Sequence, residues 1–241
     1  RTPTRQDRSS SLNSSNPTPP NGVRITDIPD EVEFATKPRQ LMTMLARAFD
    51  AGVPFAWVTA DEAYGQAPCL RDWLEERDAS HVLAIKCKDT LVTPDGRRTR
   101  ADELIAALPR RSWRRLSVGA GAHGPREYHW ARIPVRADWR AGRGHWLLAR
   151  RSLSDPTGIA YYVCYGPRRC GLVDLAWVAG SRWHVEECFQ QAKNEAGLDH
   201  YQVRSWRAWY AHITLSMLAL AWLAVTKAVA TKGESVPATR A

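Results

Sequence analysis

The chain has 241 residues and a formal charge of +9 at neutral pH, with 34 Lys and Arg against 25 Asp and Glu. That length suits one large domain or two small ones, and the positive balance favours a polyanionic partner. Its five cysteines (Cys69, Cys87, Cys164, Cys170 and Cys188) form no Cys-x-x-Cys pair, which argues against a zinc ribbon or a disulfide framework and fits a reducing cytoplasm.

Residues 1 to about 22 are Ser, Asn, Thr and Pro with almost no large apolar side chain, too little to offset the entropy of ordering. Residues 1–33 are therefore predicted to be a disordered or unrelated segment. No signal peptide opens the chain, and a first residue Arg1 rather than Met predicts a fragment or an incomplete reading frame.

From Thr36 to Gly52 an apolar stripe of Leu41, Met42, Leu45, Ala48 and Phe49 predicts a helix that stops at Gly52. The apolar, β-prone run Val53 to Ala60 predicts a strand ending at Asp61, followed by Tyr64-Gly65 and a helix to about Arg77. An Asp at the carboxyl end of a buried strand is either a helix cap or a group placed to reach a metal at the sheet edge. His81 to Lys86 predicts a second strand beside the first, and residues 99–108 a short helix ended by Pro109.

Four β-like runs follow, Trp113–Val118, Arg126–Val135, His145–Arg150 and Ile159–Tyr165, with turn signals at Gly119-Ala120-Gly121, Gly142-Arg143-Gly144 and Asp155-Pro156-Thr157-Gly158. Between Arg97 and Arg151 there are fourteen Arg, no Lys and four acids, and four Trp are interleaved with them. Guanidinium binds phosphate bidentately and indole stacks on bases, so the block reads as a nucleic-acid surface; equally, the Trp residues are core.

In Ser181 to Lys193, a spacing of about 100° per residue brings Arg182 and Lys193 to within roughly 40° of Glu186 on one helical face. A carboxylate between two cations is either a solvated helix surface or a site that holds a hard divalent cation beside a phosphate backbone. Gly197 sits at a predicted C-cap, and a long helix begins near Val203. Arg204 and Trp206, near its start, face DNA or form a solvated first turn. The run Ile213–Val225 lies within only fourteen residues between His212 and Lys227, short of the roughly 17–25 a membrane span needs, so it predicts a buried core helix and no membrane partner. No HExxH spacing, Gly-rich phosphate loop or Ser/His/Asp signature is present.

Arg182, Glu186 and Lys193 resemble the Tyr-x-x-Arg-x-x-x-Glu-x-x-x-x-x-x-Lys signature of bacterial insertion-sequence transposases, the DDE enzymes with an RNase H-like core; the signature Tyr position is Ala179. Gly197 to Trp206 resembles the sequence after the catalytic Glu in one branch of that family. Trp57-Val58-Thr59-Ala60-Asp61-Glu62-Ala63-Tyr64-Gly65 is similar to the motif of the second catalytic Asp, with Phe34 to Pro38 as its lead-in. Gly121 to Arg126 and Leu147 to Ser152 match as well, so the resemblance covers roughly residues 34–225.

The resemblance implies an α/β fold, a partial RNase H-like core interrupted by a mainly β insertion, with a helical C-terminal region. The expected division is 1–33, the core segment 34–95 with the second Asp, the Arg-rich insertion 96–170, the C-terminal helices 171–232 with the Glu, and a flexible tail 233–241. It further implies Asp61 and Glu186 as catalytic metal ligands for two Mg²⁺ or Mn²⁺ ions, and Arg182, Lys193, Arg204, Trp206 and Arg126 as DNA contacts. Phosphodiester cleavage and strand transfer at transposon terminal repeats would take place in the cytoplasm at the nucleoid. A further chain, a second copy or a full-length transposase, is an expected partner. Asp27, Asp30 and Asp50 follow no convincing buried strand, so a truncated copy without the first catalytic Asp is expected, its sheet edge beside Asp61 exposed. The alternative is a non-catalytic DNA-binding remnant that interferes with a full-length transposase.

Overall fold

The computed structural model describes residues 27–121, 124–136, 140–202 and 204–233, so the predicted disorder of the first twenty-two residues and nearly all of the tail 233–241 lie outside it. It divides into two compact units, Phe34–Phe189 and a second one to which residues 27–33 and 190–233 belong.

In the first unit, helix α1 (Lys37–Asp50) has proline in its first turn and packs Leu41, Met42, Leu45 and Phe49 against the core. Strand β1 is only Val58–Ala60, shorter than the predicted Val53–Ala60. Pro54 has no N–H to give a ladder, and Phe55 N turns back to Val53 O, so the first half of that run is a loop. Helices α2 (Glu62–Gly65) and α3 (Pro68–Glu76) follow where one longer helix is predicted, because Pro68 fits a helix start and not an interior.

Strand β2 (His81–Ile85) pairs with β1 as its sequence predicts; the pairing is parallel, in the register Val58↔His81, Thr59↔Val82, Ala60↔Leu83. A small hairpin, β3 (Thr90–Val92) and β4 (Arg98–Arg100), turns at Gly96 with φ +83° and precedes α4 (Ala101–Ala106); its short strands alternate too weakly to be read in advance.

The four predicted β runs become β5 (Arg114–Gly121), β6 (Gly124–Pro134), β7 (Arg143–Arg151) and β8 (Ile159–Pro167). Gly119-Ala120-Gly121 is not a turn: it continues β5 through a register shift between Ser117 and Ala120. The sheet order is β1-β2-β8-β7-β6-β5, so segments 34–95 and 96–170 build one six-stranded sheet, joined by the antiparallel β2–β8 pair, with β1 at its edge.

Two cores result. On one face Leu83, Ile85, Leu147, Ala149, Tyr161 and Val163 meet Leu70 and Leu74 of α3 and Ile105 of α4. On the other, Val82, Trp130, Trp146, Leu148, Tyr162 and Cys164 meet Leu175 and Ala176 of α5 (Leu172–Ser181). Each fully buried leucine contributes on the order of 1.5–3 kcal/mol. Trp130 and Trp146 are core residues, which resolves the two readings of these indoles in favour of packing.

The single helix predicted over 181–193 is two: α5 ends at Ser181 and α6 runs Trp183–Ala196, with Arg182 at the joint. Arg182 keeps helical dihedrals, φ −56° and ψ −27°, so its spacing to Glu186 survives the break.

The division between the units falls within α6. In the second unit α6 ends at Gly197, whose φ of +63° suits glycine at the predicted cap. His212 shares a hydrogen bond with Gly197 O at 3.1 Å and packs its ring 5.4 Å from Tyr201. Helix α7 (Trp206–Gly233) is not the buried core helix expected: Leu215, Met217, Leu218, Trp222, Val225 and Val229 are all exposed. The fourteen residues between His212 and Lys227 also understate its apolar length. Trp206–Ala230, 25 residues, is long and apolar enough by length and composition alone to cross a membrane, because the few charges near its ends do not interrupt the run.

Candidate active site

The face of the sheet that α5 covers is open where α5 stops. Beyond Ser181 the floor of a cleft of about 400 Å³ is made by Ala84 of β2, Ala160 and Tyr162 of β8, Arg150 of β7, Tyr128 of β6 and Val118 of β5. One wall is the α5–α6 joint, with Ala179, Gly180, Arg182, Trp183 and Glu186, and the β1 end carries Asp61 and Glu62.

Register explains why Asp61 reaches the cleft. Thr59 pairs with Val82, which faces the α5 side, and Asp61 lies two residues further along extended backbone, φ −76° and ψ −178°. Asp61 caps α2, its Oδ1 accepting from Ala63 N at 2.9 Å; its second oxygen has no partner among the described residues. Gly65 lets α2 sit against β2, since a Cβ there would stand 1.9 Å from Ala84 O.

Arg182 donates to Glu186 Oε1 at 2.5 Å, both side chains partly exposed. Glu62 accepts from Gln66 Nε2 at 3.2 Å and lies 3.9 Å from Lys86 Nζ. Arg126 is engaged otherwise: Nε donates to Ala120 O at 3.1 Å, Nη1 to Gly180 O at 3.1 Å and Nη2 to Val118 O at 2.9 Å. Arg150 lies over the Tyr128 ring at 4.6 Å. Burial pushes the Tyr162 phenol up, while the charges of Arg150 and Arg182, which line the same cleft, pull it the other way.

The cleft thus brings together Asp61, Glu186, Arg182 and Arg126. Lys193 is exposed in the last turn of α6, Arg204 is exposed, and Trp206 opens α7 with its ring 4.7 Å from that of Tyr210 and tilted against it; these three belong to the second unit. Sequence reasoning missed Arg150, Tyr128, Tyr162 and Trp183. The signal for Arg150 was the even-numbered row Trp146, Leu148, Arg150 on β7, whose first two members are buried and whose third is charged.

Carboxylate oxygens of Asp61, Glu62 and Glu186 are the hard ligands Mg²⁺ or Mn²⁺ requires, and such ions are commonly held by one or two carboxylates plus substrate phosphate. Among the described residues no three His, Cys, Asp or Glu side chains converge closely enough to form a complete protein cage. The residues therefore fit a metal shared with its substrate.

An α/β sheet with a carboxylate–guanidinium cleft beyond the ends of its first two strands defines a protein suited to phosphodiester chemistry. The family model of the DDE superfamily endonucleases matches residues 12–140, more than half of the chain, and the chain belongs to that family. The match includes Asp61 and Arg126 and ends before Arg150, Arg182, Glu186 and Lys193. Endonucleases of this superfamily act on DNA and generally use divalent metals. No curated protein sequence matches the chain.

Proposed function

We propose that the chain is a transposase of the insertion-sequence class, an endonuclease and strand transferase whose sheet is an RNase H-like core. The observation that carries this reading is one cleft lined by Asp61, Glu186 and Arg182, residues from distant parts of the chain that lie in segments resembling the catalytic motifs of insertion-sequence transposases. Asp61 and Glu186 would hold Mg²⁺ or Mn²⁺, which when bound activates the attacking oxygen and stabilises the leaving one. Arg182 pairs with the Glu186 carboxylate in the wall of the cleft. Lys193, Arg204 and Trp206, in the second unit, are further DNA contacts in this reading, at transposon terminal repeats in the nucleoid.

The test is Mn²⁺ binding followed by electron paramagnetic resonance, alongside cleavage of duplexes with transposon-like ends. Asp61→Ala and Glu186→Gln are expected to lose at least tenfold in Mn²⁺ affinity and all cleavage, with Asp50→Asn unchanged. Equal Mn²⁺ affinity in all three would refute the assignment.

The incomplete cage among the described residues favours a second reading: a DNA-binding protein without cleavage of its own, acting on or beside a second copy or a full-length transposase. DNA binding without metal-dependent cleavage at any Mn²⁺ concentration would select it.

A further inference from the structure

The cleft holds three guanidiniums, and they are not equivalent. Arg182 is committed to Glu186, and Arg126 has three donors on backbone carbonyls of β5 and α5. The Arg150 side chain has no hydrogen bond or ion pair among the described residues. It stands instead on the face of Tyr128, beside the buried Tyr162, at the point where α5 stops covering the sheet.

We propose that Arg150, stacked on Tyr128, is the phosphate-binding side chain of the cleft, and that Arg126 is a positioning residue that ties the α5–α6 joint to β5. This rests on the reading of the chain as a DNA-acting protein and names which cation reads the backbone. A bland alternative is a solvated Arg lying on an aromatic surface. Against it stands the placement: Arg150 continues a buried row, is itself half-buried, and lines the same cleft as the Asp61 carboxylate without pairing to it. A guanidinium placed over a ring and engaged by no carboxylate keeps its N–H donors for a ligand, and a phosphate can accept two of them. Arg126 has little left to give a ligand. Its bonds to Val118 O and Gly180 O span the contact where a Cβ on Gly180 would stand 2.6 Å from Val118 Cβ, so it fixes how closely the wall meets the floor.

The experiment is fluorescence anisotropy of the full chain with two duplexes of unrelated sequence across a range of salt concentrations. Removing one phosphate contact lowers the slope of log K against log salt by about one and weakens binding roughly tenfold on both duplexes. Arg150→Gln is expected to do this and Asp50→Asn, outside the cleft lining, to leave binding unchanged. Arg126→Gln is expected to keep the slope and lower the melting temperature. Because a variant can fail to fold, arginine modification by phenylglyoxal on the unaltered chain provides a second reading, with DNA expected to protect Arg150. Binding by the unaltered chain with an unchanged slope in folded Arg150→Gln, or no protection of Arg150, overturns the assignment while leaving the proposed function standing. Failure of the unaltered chain to bind DNA overturns both.

Discussion

The two ends of the six-stranded sheet use the same side-chain types to opposite purpose. Asp61 follows the carboxyl end of β1; Asp78 precedes the amino end of β2, and because the two strands are parallel these are opposite ends. Asp61 gives one oxygen to a cap and keeps the other open. Asp78 is saturated: Arg143 and Arg140 pair with it, and Tyr165 Oη donates to it at 2.7 Å. The Arg143 hydrogen bond, foremost, holds its carboxyl down at about 2. Beside it Glu75 is buried with Arg136 Nη1 at 2.9 Å and His145 Nε2 at 3.2 Å. Charges paired with one another at one end hold the fold; charges left open at the other are available to a ligand.

The sharpest way to break that contrast is at Glu75. Glu75→Ala removes the buried carboxylate that pairs with both Arg136 and His145, so we expect a loss of about 3 kcal/mol. For a chain of this size that lowers the melting temperature by roughly 6–12 °C. A change under about 2 °C would show that this end is not structural.

His81 gives the same end a pH dependence. It is buried, its Nδ1–H donates to Ala79 O at 3.2 Å, and desolvation lowers its pKa from 6.5 to about 4. In the unfolded chain it protonates near 6.5 while in the fold it stays neutral. Stability from this group is therefore complete above pH 6.5, declines as pH falls, and is lost through about 4. The ceiling is about 3 kcal/mol, and urea unfolding from pH 8 to pH 4 measures it. In His81→Leu that slope should flatten; an unchanged slope assigns it to other groups.

The contrast was only half legible in the sequence. Periodicity and β-branched runs located α1, β2 and the four long strands, because those elements bury one face each and the apolar spacing records it. The motif around Asp61 was visible because a strand, a carboxylate and a glycine are adjacent in the chain. The Asp78 end was not, because it joins α3, β7 and β8 through residues far apart in sequence, and only the β7–β8 register makes them neighbours. Arg126 and Arg150 looked alike as letters in an Arg-rich block. What separates them is whether carbonyls or an aromatic face lie within reach, a property of packing. Helix α7 failed for a related reason: an all-apolar helix reads as core, yet among the described residues little covers it.

Gly180 tests whether the cleft wall depends on close approach. Alanine there would press against Val118, and relieving the overlap costs about 1–3 kcal/mol while pushing the α5–α6 joint outward. Gly180→Ala should therefore weaken DNA binding and Mn²⁺ binding together, with a modest fall in melting temperature. A drop in melting temperature with both affinities intact would mean that the wall shifts without carrying Arg182 and Glu186 with it.

The smallest expected effect on stability is the most informative. Glu186 and Arg182 form an i, i+4 pair with side chains 45% and 35% exposed, and such a pair contributes only about 0.5 kcal/mol. Glu186→Gln keeps the shape and removes the charge, so its melting temperature should stay within about 2 °C of the parent. Glu75→Ala should behave in the opposite way, costing stability with little direct effect on Mn²⁺. If Glu186→Gln melts as early as Glu75→Ala, the cleft carboxylate is part of the scaffold and the division between the two ends collapses. If it melts with the parent yet loses Mn²⁺ binding, the open end is kept open for a ligand, because a charge that contributes almost nothing to folding has to be accounted for by what it binds.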